Sequence, residues 1–248
     1  INAMYQDVKI KFLSFIIEEI TMRKIVLLLV ILLVAMYLSL PFPGWAEDGK
    51  VYIGLNVEFS HPTSTSDDAI KQGLLVAMDE IHRAGGVLGG RKLELVEMDN
   101  RSVPARAVQN NRELAAMPNL VAVFAGKFST AIIESLPVIH ELKLPMMAPW
   151  SANDKVIDNG YNPNYVFRLS ISDTWGITSM MNHALKMGYT EVGGMVPVNS
   201  WGRSNDAAIQ KFAAENPNIR VTSVHWYNYG ENTLADKYDA ILKSGADR

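Results

Sequence analysis

The feature that most constrains the fold of this chain is a regular alternation of apolar strands and amphipathic helices from residue 51 onwards. Leu120–Ala125 reads LVAVFA without a polar residue, as a parallel strand covered on both faces requires. In the helix predicted over residues 67–84, apolar side chains recur at helical spacing, namely Ile70, Leu74, Leu75, Met78 and Ile81. Strict alternation of this kind predicts parallel sheets with helices on both faces.

A loop rich in Asn, Asp, Gly and Pro over residues 151–164 interrupts this alternation. About four predicted strands precede the loop and three follow it. Two successive α/β lobes are the simplest account, and one continuous sheet is the structural alternative. We therefore predict a two-lobed α/β fold with parallel, Rossmann-like sheets. The predicted lobes cover residues 47–169 and 170–248, and the second is expected to be truncated at its C-terminus, because the chain ends where another strand should begin.

The first 46 residues are predicted to be a leader rather than part of the fold. An uncharged apolar run covers residues 25–40, Arg23 and Lys24 precede it, and the small residues Gly44 and Ala46 follow it. This order is typical of a secretory signal peptide, here over residues 22–46 with an upstream extension. An uncleaved anchor is the alternative, although the run is shorter than the roughly 20 residues that span a bilayer. A periplasmic location is expected.

Composition excludes several classes of function. The net charge is −3, so the chain offers no excess of positive charge for nucleic acid. It has no cysteine, which excludes disulfides, thiolate metal sites and a lipid-modified N-terminal cysteine. Its five histidines are scattered and lack the spacing of metal ligands on one helix face. No metal, cofactor or nucleic-acid partner is predicted.

Open parallel sheets bind ligands beyond the carboxyl ends of their strands, and four predicted loops lie there. They cover residues 58–66, 126–130, 149–153 and 199–204. Ser129 and Thr130 stand at a predicted helix start, where free backbone N–H groups and hydroxyls favour an anion. Simple capping of that helix is the alternative for these two residues.

Two tryptophans stand in these loops, one in each predicted lobe. Trp150 and Trp201 could sandwich a planar part of a ligand, or each could pack over the edge of its own lobe. Trp175 and Trp226 lie within predicted regular elements and are expected in the core.

Three stretches in order, residues 68–100, 128–153 and 199–212, resemble the type I periplasmic binding proteins of the branched-chain amino acid and amide transport family. The first stretch carries a helix followed by AGGVLGGRKL, and the similarity extends from residue 51 to the end of the chain. The resemblance implies a solute-binding protein of an ABC importer, not an enzyme. Such a protein captures an amino acid, a small amide or a carboxylate between its lobes and delivers it to a membrane permease.

The resemblance also implies a set of ligand-binding residues. The first-lobe loops are expected to hold a ligand carboxylate through hydroxyl and backbone groups, and an aromatic residue of the second lobe is expected to close over the ligand. The predicted set is Ser60, Phe128, Ser129, Thr130, Trp150, Ser151, Ala152 and Trp201. Amino acid binders commonly have threonine in place of Ala152 and a small residue in place of Trp150. These departures predict a site that lacks one hydroxyl and is narrowed or flattened near Trp150, which disfavours a plain α-amino acid as the ligand.

Two other functions fit parts of the pattern. A receptor or regulator could use the same lobes as a ligand sensor, and its chain would continue into a transmembrane or signalling segment. An enzyme with a nucleotide-binding fold would need a glycine fingerprint between the first strand and the first helix. Residues 57–66 contain no glycine, which disfavours the enzyme.

Overall fold

The computed structural model describes residues 49–59 and 64–247, in which strands and helices alternate. The strands are β1 (Lys50–Val57), β2 (Lys92–Asp99), β3 (Leu120–Ala125), β4 (Met146–Ala148), β5 (Val166–Arg168), β6 (Glu191–Pro197) and β7 (Arg220–Tyr227). The helices are α1 (Thr65–Arg83), α2 (Pro104–Ala115), α3 (Ser129–Glu141), α4 (Asp173–Lys186), α5 (Ser200–Glu215) and α6 (Ala235–Lys243), with a short 3-10 helix at Asp154–Val156. The predicted leader and Ser60 lie outside the described residues.

The strands form two parallel sheets, which confirms the two-lobed α/β prediction. The first sheet has the order β2-β1-β3-β4-β5, and the second pairs β6 with β7. We call each sheet with its packed helices a lobe. As expected, four strands of the described residues precede the loop at residues 151–164 and three follow it. The first of these three, β5, pairs with β4 in the first sheet, with Met146 opposite Val166. The described residues therefore divide into five strands and two.

The first-lobe core lies where helices α2 and α3 cover β3 and β4. Leu114 of α2 and Ile139 of α3 are fully buried against Val123 of β3. Gly54 of β1 permits this packing, because a Cβ there would lie 2.8 Å from the Leu114 side chain. The expectation that β3 is covered along its whole length is wrong at its start, where Val121 is exposed.

The second-lobe core lies between α4, α5 and the start of β7, and two tryptophans expected in a core lie outside it. Trp175 is 70% exposed and Trp226 is 36% exposed. Helix α4 buries Ile177 and Met181, and Trp175, two positions before Ile177, lies on the opposite face of the helix. Trp226 is partly uncovered because β7 lies at the edge of the two-stranded sheet. Within the described part of the chain, no helix has the length and apolar character needed to cross a membrane.

Candidate functional site

A cavity of about 630 Å³ is lined by residues of both lobes, and we call it the ligand cavity. Its first-lobe walls are Glu58, Arg101, Ser102, Lys127, Phe128 and Ser129, and its second-lobe walls are Asn199, Trp201, Tyr229 and Gly230. All of them follow the carboxyl end of a strand, where parallel sheets place their ligand sites. The volume falls within the roughly 300–1,000 Å³ typical of small-molecule sites.

The Ser129 hydroxyl is held at the cavity wall by a second serine. Ser129 is the first residue of α3 and is 2% exposed. Its Oγ lies 2.7 Å from the Oγ of Ser151, which is also buried and is not itself among the walls of the ligand cavity. Helix α3 has no side-chain cap hydrogen bond among the described residues, so simple capping does not account for Ser129 or Thr130. Ser151 is therefore placed to orient the Ser129 hydroxyl.

Thr130, one residue further along α3, faces a different part of the molecule. Its Oγ1 lies 2.8 Å from the Oγ of Ser200, in the second lobe. Successive helical residues point about 100° apart, so the two neighbouring hydroxyls face different surroundings. The structure thus separates Ser129 and Thr130, which the sequence analysis treated as one pair.

Three aromatic side chains share the ligand cavity, namely Phe128, Trp201 and Tyr229. The indole N–H of Trp201 donates to Oδ1 of Asp173 at 3.0 Å, which fixes the plane of the ring. Burial raises the pKa of Asp173 above its ordinary value, while hydrogen bonds from Ser204 and Trp201 lower it. The aromatic walls therefore come from both lobes, with one ring anchored through a buried carboxyl.

Like Ser151 and Thr130, two further predicted ligand residues, Trp150 and Ala152, lie away from the walls of the ligand cavity. Trp150 is 52% exposed and is not among the wall residues. The carbonyl of Ala152 accepts hydrogen bonds from the backbone N–H of Asp173 at 2.8 Å and from Arg168 at 3.2 Å. Ala152 thus joins the first lobe to the start of α4, and Trp150 is not placed opposite Trp201 across this cavity.

A buried acid, Asp67, joins the loops that follow β1 and β3. Asp67 is 1% exposed and accepts hydrogen bonds from the backbone N–H groups of Lys127 at 2.8 Å and Glu58 at 3.2 Å. The Lys127 ammonium lies 3.1 Å from the Glu58 carboxylate and 4.0 Å from that of Asp67. Burial raises the pKa of Asp67, while the two backbone N–H groups and the ammonium lower it. This cluster holds two wall residues, Glu58 and Lys127, in place.

Sequence reasoning missed Asp67, because an acid in the first turn of a helix is common and favourable there. The available signal was Gly126, whose Cβ would lie 2.6 Å from Oδ1 of Asp67. A glycine between an apolar strand and a helix start indicates a close approach of some other group. The identity of that group depends on the tertiary structure.

Asn199 is a further wall residue that the predicted set omitted. Its Oδ1 accepts the backbone N–H of Gly202 at 2.9 Å and so caps α5. Its Nδ2 is buried and has no hydrogen-bond partner among the described residues. Because the cap fixes the amide orientation, Nδ2 is left as a buried donor without a protein partner in a residue that lines the ligand cavity. Asparagine before Ser-Trp-Gly suggests the cap from sequence alone, but not the spare donor.

The turn after β2 brings Arg101 and Ser102 to the ligand cavity in an unusual conformation. Both residues have left-handed backbones, with φ of 52° and 54°. Side-chain oxygens of the two preceding residues hold the turn, since Asp99 accepts the N–H of Arg101 and Asn100 that of Ser102, each at 2.9 Å. Non-glycine residues in this region cost free energy, and such residues cluster at functional sites. The turn thus adds a cation and a hydroxyl to the cavity rim.

Together these walls combine polar donors with aromatic surfaces. Ser129, Asn199 and Arg101 offer hydroxyl, amide and guanidinium donors, while the three rings offer apolar faces. Such a lining suits a small molecule with an acceptor-rich group and a flat or apolar body. Residues 49–59 and 64–247 contain no group of three or more His, Cys, Asp or Glu placed to hold a metal ion.

Comparison with solved structures identifies proteins of the same fold. A solute-binding protein from R. palustris in complex with 4-hydroxybenzoate has a TM-score of 0.68 at 21% identity, over 79% of this chain and 52% of that one. A leucine-binding protein from Thermotoga maritima MSB8 has a TM-score of 0.69 at 19% identity, over 79% and 54%. A substrate-binding protein from Desulfitobacterium hafniense in complex with Leu has a TM-score of 0.64 at 25% identity, over 80% and 57%.

The chain therefore spans about half the length of the solved structures that it matches. No curated protein sequence matches it significantly. A sequence model of a family described as "Periplasmic binding protein" matches residues 50–247. This match and the similar structures are of binding proteins, which confirms the prediction that the chain is not an enzyme. The chain belongs to the type I periplasmic binding protein family.

Proposed function

We propose that this chain is the ligand-capturing part of an extracytoplasmic solute-binding protein that serves an ABC importer. The observation that carries the proposal is the ligand cavity, whose walls come from the strand ends of two separate sheets. A ligand in such a cavity contacts both lobes and so stabilises the closed arrangement relative to the open one. The closed form would then be recognised by a membrane permease, and the predicted leader would direct the protein out of the cytoplasm.

The chemistry of the walls supports a small carboxylate, amino acid or amide as the ligand. Ser129 lies at the start of α3, where backbone N–H groups and the helix dipole favour negative charge. Asn199 offers a second donor from the opposite lobe. Phe128, Trp201 and Tyr229 are suited to the apolar part of such a ligand. The ligands named for similar structures, 4-hydroxybenzoate and Leu, combine these two features.

We propose that the lobes move about the segment at residues 169–172, which links β5 to α4. On the first-lobe side of this segment, the Ser170 hydroxyl donates to the carbonyl of Ser151 at 2.7 Å. On the second-lobe side, the Ser172 hydroxyl accepts the N–H of Trp175 and caps α4. Because the backbone N–H of Asp173 also donates to the carbonyl of Ala152 in the first lobe at 2.8 Å, the pivot would include the first turn of α4.

The test is a calorimetric titration of the full-length protein with benzoate, 4-hydroxybenzoate and L-leucine, after a thermal-shift screen of small polar metabolites. Replacement of Ser129 by alanine should weaken binding of a carboxylate by about one to two orders of magnitude, because one charge-assisted hydrogen bond is lost. Ser135→Ala is the matched control: Ser135 is buried in the same helix, but its hydroxyl donates to the carbonyl of Ala131 at 2.8 Å. Equal affinities of the two variants would contradict the role of Ser129.

A further inference from the structure

Ser200, the first residue of α5, joins the two lobes through contacts that involve no ligand. Its Oγ lies 2.8 Å from Oγ1 of Thr130 in the first lobe. Its carbonyl accepts a hydrogen bond from Nδ2 of Asn153, also in the first lobe, at 2.7 Å. Its backbone N–H points to the Thr130 hydroxyl at 3.4 Å. Three polar groups of one residue thus contact the opposite lobe.

The two first-lobe partners are held in place by their own surroundings. Asn153 is buried, and its Oδ1 accepts the backbone N–H of Lys155 at 2.9 Å, so its amide orientation is fixed with Nδ2 towards Ser200. Thr130 lies in the first turn of α3, a regular helix. Pre-organised partners lose little conformational entropy when they form a hydrogen bond. The contacts with Ser200 therefore need no rearrangement within the first lobe.

These contacts lie outside the ligand cavity. Thr130, Asn153 and Ser200 instead line a second cavity of about 450 Å³, which is also lined by Glu134 and Lys211. None of the three is among the walls of the ligand cavity. A ligand bound between Ser129 and Trp201 would therefore leave these contacts intact.

We propose that Ser200, Thr130 and Asn153 form a latch that draws the lobes together before a ligand arrives. Two hydrogen bonds of ordinary net strength change the ratio of closed to open protein by roughly 5- to 150-fold. The apparent affinity of a ligand for the closed form rises with the population of that form. The latch would thus raise the affinity for every ligand by the same factor and leave the choice among ligands to the ligand cavity. Its effect on affinity rests on the proposed function, whereas its existence does not.

The first experiment measures, without a ligand, how often the two surfaces that carry the latch meet. The chain has no cysteine, so the double variant Thr130→Cys with Ser200→Cys introduces a single pair of thiols. The 2.8 Å between the two hydroxyl oxygens places these positions close enough for a disulfide. We expect mild oxidation of the ligand-free, full-length protein to cross-link most molecules. The control pair is Glu134→Cys with Lys211→Cys, on the walls of the second cavity, where we expect a yield at least tenfold lower. Equal yields for the two pairs would overturn the latch.

The second experiment removes the latch and preserves the fold. Thr130→Val deletes the hydroxyl while keeping its shape, Ser200→Ala deletes the facing hydroxyl, and Thr130→Ser restores a hydroxyl. We expect the first two variants to increase the radius of gyration of the ligand-free protein in small-angle X-ray scattering, and Thr130→Ser to match the wild type. The affinities of each variant for the two probes, benzoate and L-leucine, should fall by the same factor, which is at most about 12.

Unchanged scattering of both variants would overturn the proposal. An affinity loss confined to one probe, without a change in scattering, would also overturn it, since Thr130 would then act as a ligand contact. If the wild type binds no carboxylate, amino acid or amide in the thermal-shift screen, the proposed ligand class fails. Cross-linking and scattering would still decide whether the latch exists.

Discussion

Gly126 offers the sharpest test of how the ligand cavity is built, because its replacement by alanine acts on one buried group. A Cβ at position 126 would lie 2.6 Å from Oδ1 and 3.1 Å from Cγ of Asp67, and 3.1 Å from Cβ of Val57. Real Cβ atoms do not approach other atoms as closely as 2.6 Å, so Asp67 must move. Its Oδ1 is the atom that accepts the backbone N–H of Lys127 at 2.8 Å.

The expected cost follows from these contacts. Overpacking of a well-filled site costs about 1–3 kcal/mol, and loss of a hydrogen bond to a charged, buried acceptor costs about 1.5–3 kcal/mol. Alanine also reduces the freedom of the unfolded chain, which offsets about 0.4–1 kcal/mol. We expect Gly126→Ala to destabilise the protein by about 2–4 kcal/mol, which lowers Tm by roughly 4–16 °C for a protein of this size. Ligand affinity should fall as well, because Lys127 and Phe128 follow Gly126 into the cavity wall.

Gly73→Ala is the matched control for the same substitution. Gly73 lies in α1, and a Cβ there would have no atom within 4 Å. Alanine is favoured over glycine in a helix by about 0.5–1 kcal/mol, so this variant should be slightly more stable than the wild type. Thermal unfolding of both variants, followed by circular dichroism with titration of the ligand found in the screen, gives the comparison. If Gly126→Ala melts within about 1 °C of Gly73→Ala, the close packing of Asp67 against Gly126 is refuted.

Two further substitutions test the second-lobe wall. Asn199→Asp keeps the oxygen that caps α5 but replaces the unpaired Nδ2 donor by an acceptor. Calorimetry should therefore show at least tenfold weaker binding of a carboxylate, with little change in Tm. Unchanged affinity would remove Asn199 from the site. Asp173→Asn keeps an oxygen for the Trp201 N–H. Burial raises the pKa of Asp173 in the folded protein above its ordinary value, so ionised Asp173 lowers the free energy of unfolding. This loss of stability is absent at a pH below the ordinary pKa and appears as the pH rises through the folded pKa. The variant should therefore gain Tm over the wild type at pH 7 but not near pH 3, and a gain that is the same at both pH values would contradict the burial argument.

Local patterns were sufficient to predict the helices and strands of this protein. The apolar spacing of α1 and the continuous apolar run of β3 are properties of neighbouring residues, and they depend on little else. The pairing of β5 could not be derived from its own sequence. It has only three residues in a register with β4, and its sheet is decided by hydrogen bonds between strands rather than by its own sequence. Trp175 was assigned to the core for a similar reason, since an aromatic residue in a helix does not reveal which face is covered.

The sequence by itself determined the α/β alternation, and with it the sheet edge at which a ligand site must lie, because strand direction follows from the order of the elements. Only the tertiary structure decided which side chains meet there. It placed Ser129 in the ligand cavity and Thr130 on Ser200, buried Asp67 against Gly126, and left Trp150 outside. These outcomes depend on the packing of segments far apart in the chain, which no local pattern encodes.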